Sequence, residues 1–328
     1  MTGDFLLGGF GMGLLLLGGD LLVRGASRMA TSLGVSPLAV GLTIVAFGTS
    51  APELAVNVLA ATRDSGGLSF GNIIGSNLAN IGLIFGLGAI FRPIPIDDVV
   101  VRREIPMMLL ATAAAMGMAF DHWFDDQPTF FDRGDGVTLL LFFFVFLYYT
   151  LGDFLTRRSD GEPRPDSELA AKASSDVAPG RPMRDLGLIL VGMTLLAVGA
   201  DFTVDAATSL ARALGVPEVI IGLTLVAIGT SLPELAATVI AIFRNESAMA
   251  VGNIVGSNIF NLLLVGGITA FIRPIPIPDG AAADLVTLGA MSLLLWGVSM
   301  SQGQRILRAE GAILLTAYVT YVSVRVLG

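Results

Sequence analysis

Two glutamates lie within apolar sequence, each in a copy of one short motif. Residues 41–53 read GLTIVAFGTSAPE and residues 222–234 read GLTLVAIGTSLPE, with ten identities in thirteen positions. Glu53 and Glu234 have no Lys or Arg beside them in these runs. A charged side chain at the centre of a membrane helix costs about 3 kcal/mol on insertion scales, so such carboxylates usually mark a path for cations or protons. The two motifs therefore predict an ion site.

The motif also supplies uncharged oxygen ligands. Proline lacks an N–H and its ring clashes with the carbonyl four residues earlier, so Pro52 and Pro233 are expected to open their helices near the preceding glycines. Opened backbone at membrane depth is tolerated where it is buried in protein or faces a cavity, so the freed carbonyls can face an ion. The chain has no Cys, and oxygen donors favour Ca²⁺, Na⁺ or Mg²⁺ over zinc and copper. The predicted donors beside the glutamates are Ala46, Thr49, Ser50, Ala227, Thr230 and Ser231.

A second motif occurs once in each half and adds further polar groups. GNIIGSNLAN at 71–80 matches GNIVGSNIFN at 252–261 in seven of ten positions. The serine and the last asparagine are four residues apart, so they share a helical face. All these oxygens together exceed the six to eight that Ca²⁺ requires, which leaves donors for an adjoining cation. Close helix packing alone is the alternative explanation for these small residues, but it does not account for the glutamates. The predicted ligands here are Ser76, Asn80, Ser257 and Asn261.

The composition is that of an all-α polytopic membrane protein. Hydrophobic residues make up 54% of the 328 residues and charged residues 14%, against about 25% charged in soluble domains. The single lysine and the absence of a basic stripe argue against nucleic-acid binding. Apolar runs of membrane-spanning length predict ten helices in a lipid bilayer. Their predicted ranges are 5–33, 37–62, 70–91, 106–120, 136–155, 185–214, 219–243, 251–271, 283–298 and 310–326.

The repeated motifs indicate a tandem duplication with inverted topology. Equivalent residues are 181 apart, and five spans per half place the second half in the opposite orientation. The predicted division is a five-helix repeat at 1–156, a disordered linker at 157–184 and a second five-helix repeat at 185–328. Fourteen of the nineteen basic residues fall on the linker side, so the linker is predicted to be cytoplasmic and both termini external.

Two further repeated features receive simpler interpretations. Asp20 and Asp201 occupy equivalent positions, and a satisfied interfacial carboxylate is favoured over an ion-approach role for each. The sequence RPIPI occurs at 92–96 and 273–277, where it is predicted only to end helices and anchor them at the interface.

GTSAPEL and GTSLPEL, each followed by GNIxGSN, resemble the two alpha repeats of the sodium/calcium exchangers in the cation/Ca²⁺ antiporter superfamily. The resemblance implies ten helices in two inverted halves, with a central cluster of sites between spans two, three, seven and eight. It also implies that Glu53 and Glu234 are the main Ca²⁺ ligands, joined by Thr49 and Thr230, partly through their backbone carbonyls. Asn80 would lie at the middle. The flanking Na⁺ sites would use Ser50, Ser76, Ser231, Ser257 and the carbonyls of Ala46 and Ala227.

Asn261 departs from this resemblance, because many such exchangers carry an aspartate there. Two carboxylates neutralise one Ca²⁺ or two Na⁺, so the coupling ion and stoichiometry stay open. A buried carboxyl group can also take up a proton. The expected function is Na⁺/Ca²⁺ antiport that extrudes Ca²⁺, with no cofactor beyond the transported ions and no protein partner. Ca²⁺/H⁺ antiport is the alternative, and an intramembrane enzyme or a channel are more remote ones. The short linker suggests a prokaryotic exchanger of the plasma membrane.

Overall fold

Long helices account for most of the protein. A computed structural model describes residues 2–63, 66–120, 130–159, 182–215, 227–278, 280–300 and 304–327. In the first half the helices are α1 (Thr2–Leu33), α2 (Pro37–Val40), α3 (Ala46–Thr49), α4 (Ala51–Thr62), α5 (Gly66–Ala79), α6 (Gly86–Phe91), α7 (Ile105–Ala119) and α8 (Arg133–Ser159). In the second half they are α9 (Pro182–Ala213), α10 (Ala227–Thr230), α11 (Leu232–Phe243), α12 (Ser247–Ile259), α13 (Gly266–Ile272), α14 (Ala281–Ser299) and α15 (Arg308–Leu327).

Short π-helical segments connect several of these helices without a loop. Gly41–Val45 joins α2 to α3, and Val100–Glu104 precedes α7. Asn80–Phe85 and Phe260–Val265 continue α5 and α12 into α6 and α13. Each of the last two segments begins at or beside a predicted ligand asparagine. π-Helical turns are rare and often occur at functional sites.

Six helices in the described part of the chain are long and apolar enough to cross a membrane, or seven if one bent pair counts as a single span. The protein is thus a helical integral membrane protein. Helices α8 and α9 each extend three residues into the predicted linker, to Ser159 and from Pro182. Proline is well accommodated in the first turn of a helix, which accounts for the early start of α9. Residues 160–181, and residues 219–226 of the seventh predicted span, lie outside the described residues.

Helices α1 and α9 pack with their backbones in contact. A Cβ atom built on Gly11 would lie 2.8 Å from the carbonyl oxygen of Gly199, and one built on Gly18 would lie 2.8 Å from that of Gly192. Only glycine permits this approach, and small residues allow membrane helices to associate closely. Residue numbers increase along α1, from Gly11 to Gly18, where they decrease along α9, from Gly199 to Gly192, so the two helices are antiparallel.

The inner helices of the bundle are the continuations of α5 and α12. An apolar stretch of 18 residues is 78% buried in the span that ends at Phe91, and such a stretch is 83% buried in the span that ends at Ile272. The corresponding value for α1 is 33%, and for α9 it is 28%. The second-motif helices therefore form the core, and α1 and α9 lie outside it.

Four two-residue strands accompany the helices, which account for most of the described residues. β1 (Ile94–Pro95) pairs antiparallel with β4 (Arg305–Ile306), and β2 (Phe130–Phe131) pairs with β3 (Ile275–Pro276). The RPIPI copies do follow the ends of α6 and α13, but each also pairs with a strand from the other half of the chain. The prediction that they only end helices was therefore wrong. Proline is tolerated in these strands because a two-stranded ribbon consists only of edges.

Candidate functional site

Each glutamate follows a break in its helix. In the first half Ser50 (φ −85°, ψ 2°) separates α3 from α4, and the two parts are bent by 43°. In the second half Ser231 has almost the same conformation (φ −88°, ψ 3°) between α10 and α11. The breaks fall two residues after the predicted glycines. Pro52 and Pro233 lie in the first turn of the following helix, where the missing N–H is tolerated.

The breaks direct two carboxyl groups into the interior. Glu53 is 1% exposed and Glu234 is fully buried. Ser50 Oγ donates a hydrogen bond to Glu234 Oε1 at 3.0 Å. Neither oxygen of Glu53 has a hydrogen-bond partner within the described part of the chain, nor does Glu234 Oε2. Buried polar groups are usually paired, so three unpaired carboxylate oxygens indicate a site for positively charged ligands.

Further unpaired oxygens belong to predicted ligands. Among the described residues, Ser76 Oγ and Ser231 Oγ have no hydrogen-bond partner, and neither do the side-chain amides of Asn80 and Asn261. All four side chains are at most 2% exposed. These groups are hard neutral donors of the kind that Na⁺ and Ca²⁺ use. No group of three or more His, Cys, Asp or Glu side chains that could hold a metal occurs in the ranges described above.

The two threonines of the motifs contact the opposite half of the chain. Thr49 Oγ1 donates to Asn253 Oδ1 at 3.1 Å and lies 3.5 Å from Ser257 Oγ. Thr230 Oγ1 accepts a hydrogen bond from Asn72 Nδ2 at 3.2 Å. The structure therefore brings the first motif of each half against the second motif of the other half.

The carbonyl groups of the two predicted alanines differ in their bonding. The Ala46 oxygen accepts from the Ser50 amide at 3.0 Å and from Thr49 Oγ1 at 3.4 Å, so it is not freed by the break as predicted. The reason is that α3 continues to Thr49 and keeps its last helical bond. At the equivalent place the Ser231 amide donates to the Ile228 oxygen rather than to that of Ala227.

The interpretation of Asp20 as a satisfied carboxylate is confirmed. Its Oδ2 pairs with Arg24 at 2.8 Å, and its Oδ1 also pairs with Arg244. The equivalent Asp201 is exposed on α9. Neither carboxylate belongs to the buried cluster around the glutamates.

Asn57 and Thr238 are polar residues near the site that the sequence predictions did not include. Asn57 Nδ2 donates to the Glu53 carbonyl oxygen at 2.7 Å and to Asn72 Oδ1 at 2.8 Å. Thr238 Oγ1 accepts from Asn253 Nδ2 at 3.0 Å. The available signal was their position four residues after each glutamate, on the same helical face.

The fold and the site together define a class of protein. Broken helices bring buried carboxylates, hydroxyls and amides together inside a bundle of apolar helices, which is the arrangement of secondary transporters. The family model described as "Sodium/calcium exchanger protein" matches residues 5–152 and 185–327. The chain belongs to the sodium/calcium exchanger family, whose members are transporters and not enzymes.

Curated proteins and solved structures resemble the chain over nearly its whole length. The putative antiporter CaxA of Alkalimonas amylolytica is 38% identical over 316 residues, which cover 95% of each chain. The sodium/calcium exchanger MaX1 of Methanosarcina acetivorans is 31% identical over 346 residues, which cover 99% of each chain. A structure of the sodium-calcium exchanger NCX_Mj, soaked with 10 mM Na⁺ and 10 mM Sr²⁺, matches with a TM-score of 0.80 and 33% identity, and covers 98% of this chain and 97% of that one.

Proposed function

We propose that the protein is a secondary active antiporter that exchanges Na⁺ for Ca²⁺ and extrudes Ca²⁺ from the cytoplasm. The observation that carries the proposal is the pair of buried glutamates, with three carboxylate oxygens unpaired in the described chain, beside hydroxyl and amide groups that are also unpaired. A divalent cation, or two Na⁺, would neutralise the pair of charges. The family and the relatives named as exchangers support the same ion pair.

The proposed ligands follow the two helix breaks. Glu53 and Glu234 bind Ca²⁺, with Thr49 and Thr230 beside them. Pro52 and Pro233 cannot donate to the carbonyls of Gly48 and Gly229, which leaves backbone oxygens near each break. Na⁺ competes for the same carboxylates and uses Ser50, Ser76, Ser231, Ser257, Asn80, Asn261 and the carbonyls of Ala46 and Ala227.

We propose ten membrane helices in two inverted five-helix repeats, 1–156 and 185–328, joined by a linker at 157–184. The antiparallel packing of α1 with α9 supports inversion, because these helices occupy equivalent places in the two halves. Strands β1 and β3 support the inversion as well, since each copy of RPIPI forms a strand that pairs with a strand from the other half of the chain. Alternating access would move α1 and α9 together against the inner helices.

The proposed orientation places both termini outside and the linker in the cytoplasm of a prokaryotic cell. Groups predicted to share a side do meet in the structure. Arg24 and Arg244, both assigned to the cytoplasmic side, pair with Asp20. The β1–β4 ribbon joins two segments assigned to that side, and the β2–β3 ribbon joins two assigned to the outside. A relative in Escherichia coli, 33% identical over 319 residues, is named as an inner membrane protein.

Flux through proteoliposomes tests this function. Purified protein is reconstituted, and Ca²⁺ uptake is measured under an outward Na⁺ gradient, under a pH gradient of matched size and with no gradient. We expect the Na⁺ gradient to drive Ca²⁺ uptake above the level measured with no gradient. Uptake driven only by the pH gradient would instead indicate Ca²⁺/H⁺ antiport, because a buried carboxyl group can carry a proton. Equal uptake in all three conditions would indicate a channel.

A further inference from the structure

The carboxylate of Asp20 joins α1 to the end of α11, away from the buried ion site. Arg244 is the C-cap residue of α11, and its Nε donates a hydrogen bond to Asp20 Oδ1 at 2.7 Å. Arg24, one turn further along α1, pairs with Asp20 Oδ2 at 2.8 Å. The Asp20 side chain is only 26% exposed, so water screens the pair incompletely. An ion pair therefore fastens α1 to α11.

A second polar contact fastens α1 to the same connection. Ser27 Oγ donates to Glu246 Oε1 at 2.5 Å, and Glu246 is the N-cap residue of α12. Ser27 follows Asp20 by seven residues, so the two side chains share one face of α1. Both contacts lie at the end of the bundle that is proposed to face the cytoplasm.

The duplication repeats the charged groups of this contact in the other half. The residues equivalent to Asp20 and Arg244 are Asp201 of α9 and Arg63, which is the C-cap residue of α4. Both are exposed, and no ion pair joins them within the described ranges. The position of Arg24 is taken by Asp205, so Arg63 would meet two carboxylates where Asp20 meets two guanidinium groups. The sequence thus contains the ion pair twice, and the structure forms one copy.

We propose that Asp20–Arg244 is a latch that holds α1 against α11 at the cytoplasmic end, and that Asp201–Arg63 replaces it at the external end in the opposite arrangement. Inverted repeats make this exchange possible, because each half can adopt the surroundings of the other. One ion pair breaks as the other forms, so neither arrangement lacks a latch. The inference rests on the proposed function, since it concerns the movement that exposes the same site to each side.

The populations of the two arrangements test the latch. Leu16→Cys and Leu59→Cys place spin labels on α1 and α4 of the full-length protein, which double electron–electron resonance measures in lipid nanodiscs without ions. We expect Arg244→Gln to raise the ratio of the shorter to the longer distance about fivefold, the scale of a partly exposed ion pair. Arg63→Gln should lower that ratio by a similar factor. Asp20→Asn repeats the first comparison if Arg244→Gln fails to fold.

Two further variants separate a latch from a general loss of charge. Arg102→Gln removes an arginine whose partner Asp98 lies in the same segment, so the ratio should stay unchanged. Asp20→Asn combined with Arg244→Gln should shift the ratio no further than Arg244→Gln alone, because both remove the same pair. Shifts in one direction from Arg244→Gln and Arg63→Gln, or no shift from either, overturn the proposal.

Covalent bridging tests the second latch directly. Cysteines introduced by Arg63→Cys and Asp201→Cys should be linked by a short bifunctional thiol reagent, and the link should stop ion exchange until it is cleaved. Failure to link this pair in a protein that exchanges ions overturns the proposal. Both ratio shifts without Na⁺-driven Ca²⁺ uptake by the wild-type protein would refute the proposed function and leave the latch. Normal uptake without the ratio shifts defeats only the latch.

Discussion

The two copies of the GTSxPE motif have nearly the same sequence but different surroundings. Ser50 donates to Glu234, whereas Ser231 has no partner among the described residues and leaves both oxygens of Glu53 unpaired. The local backbone is almost identical at the two serines. The difference therefore arises from the packing around the motifs and not from the motifs.

Helices α4 and α11, which follow the two breaks, show where the packing differs. Leu59 of α4 is 51% exposed, but the equivalent Ile240 of α11 is partly buried. Gly19 of α1 covers α11: a Cβ built on it would lie 2.7 Å from Ile240 Cδ1 and 3.2 Å from the Ala236 oxygen. Helix α1 thus packs closely against α11 at Gly19. The duplicated motifs therefore have unequal surroundings in the structure.

Neutralising either carboxylate should have the largest effect. Glu53→Gln and Glu234→Gln each remove half of the site charge, so we expect Ca²⁺ affinity to fall on the order of a hundredfold or more and exchange to reach background. Proteoliposome flux and Ca²⁺ titration measure this. Asp98→Asn, which changes an exposed carboxylate bonded to Arg102, is the matched control and should exchange normally. Near-normal exchange in either glutamine variant would remove that glutamate from the site.

A third carboxylate should change the number of bound Na⁺ ions. Asn80 and Asn261 are equivalent, both are buried and neither amide has a partner in the described chain. Asn261→Asp adds a negative charge that one more Na⁺ can neutralise, so Ca²⁺ uptake should depend more steeply on Na⁺ concentration. Asn80→Asp is the comparison variant from the other half. An unchanged Na⁺ dependence in Asn261→Asp would show that charge at this position does not set the coupling.

Movement of α1 should make the two halves exchange environments. The natural chain has no Cys, so spin labels can be placed without other substitutions. Leu16, Leu59 and Phe243 are exposed positions on α1, α4 and α11. We expect the 16–59 distance to shorten and the 16–243 distance to lengthen when ion conditions favour the opposite state. Double electron–electron resonance measures both distances. Fixed distances in a protein that exchanges ions would exclude α1 as the moving element.

The difference between the substitutions Ser50→Ala and Ser231→Ala should be the smallest of these effects. Ser50→Ala removes a hydrogen bond to a carboxylate, and such bonds contribute about 1.5–3 kcal/mol. Ser231→Ala removes a hydroxyl that has no partner in the described structure. Thermal unfolding of the ion-free protein in detergent should therefore show a lower midpoint for Ser50→Ala than for Ser231→Ala. Equal midpoints would mean that the Ser50–Glu234 bond does not hold the ion-free site together.

Much of the site could be predicted because its signals are local. A glutamate three residues after a helix break, or a serine four residues from an asparagine, can be read from spacing alone. The contact of Thr49 with Asn253 could not, since it joins residues 204 apart. The Ala46 carbonyl keeps its helical hydrogen bond, contrary to the expected opening, because a proline effect does not fix which residue ends the preceding helix. The position of Gly19 against α11 depends on the state of the whole bundle, which a duplicated sequence leaves undetermined.

The two small ribbons have a consequence for how the halves depend on each other. Each ribbon takes one strand from before residue 132 and one from after residue 274. Neither half can complete a ribbon from its own residues. A protein cut within residues 160–181 would therefore leave two fragments that complement each other, and either fragment expressed alone would expose backbone groups that only its counterpart can pair.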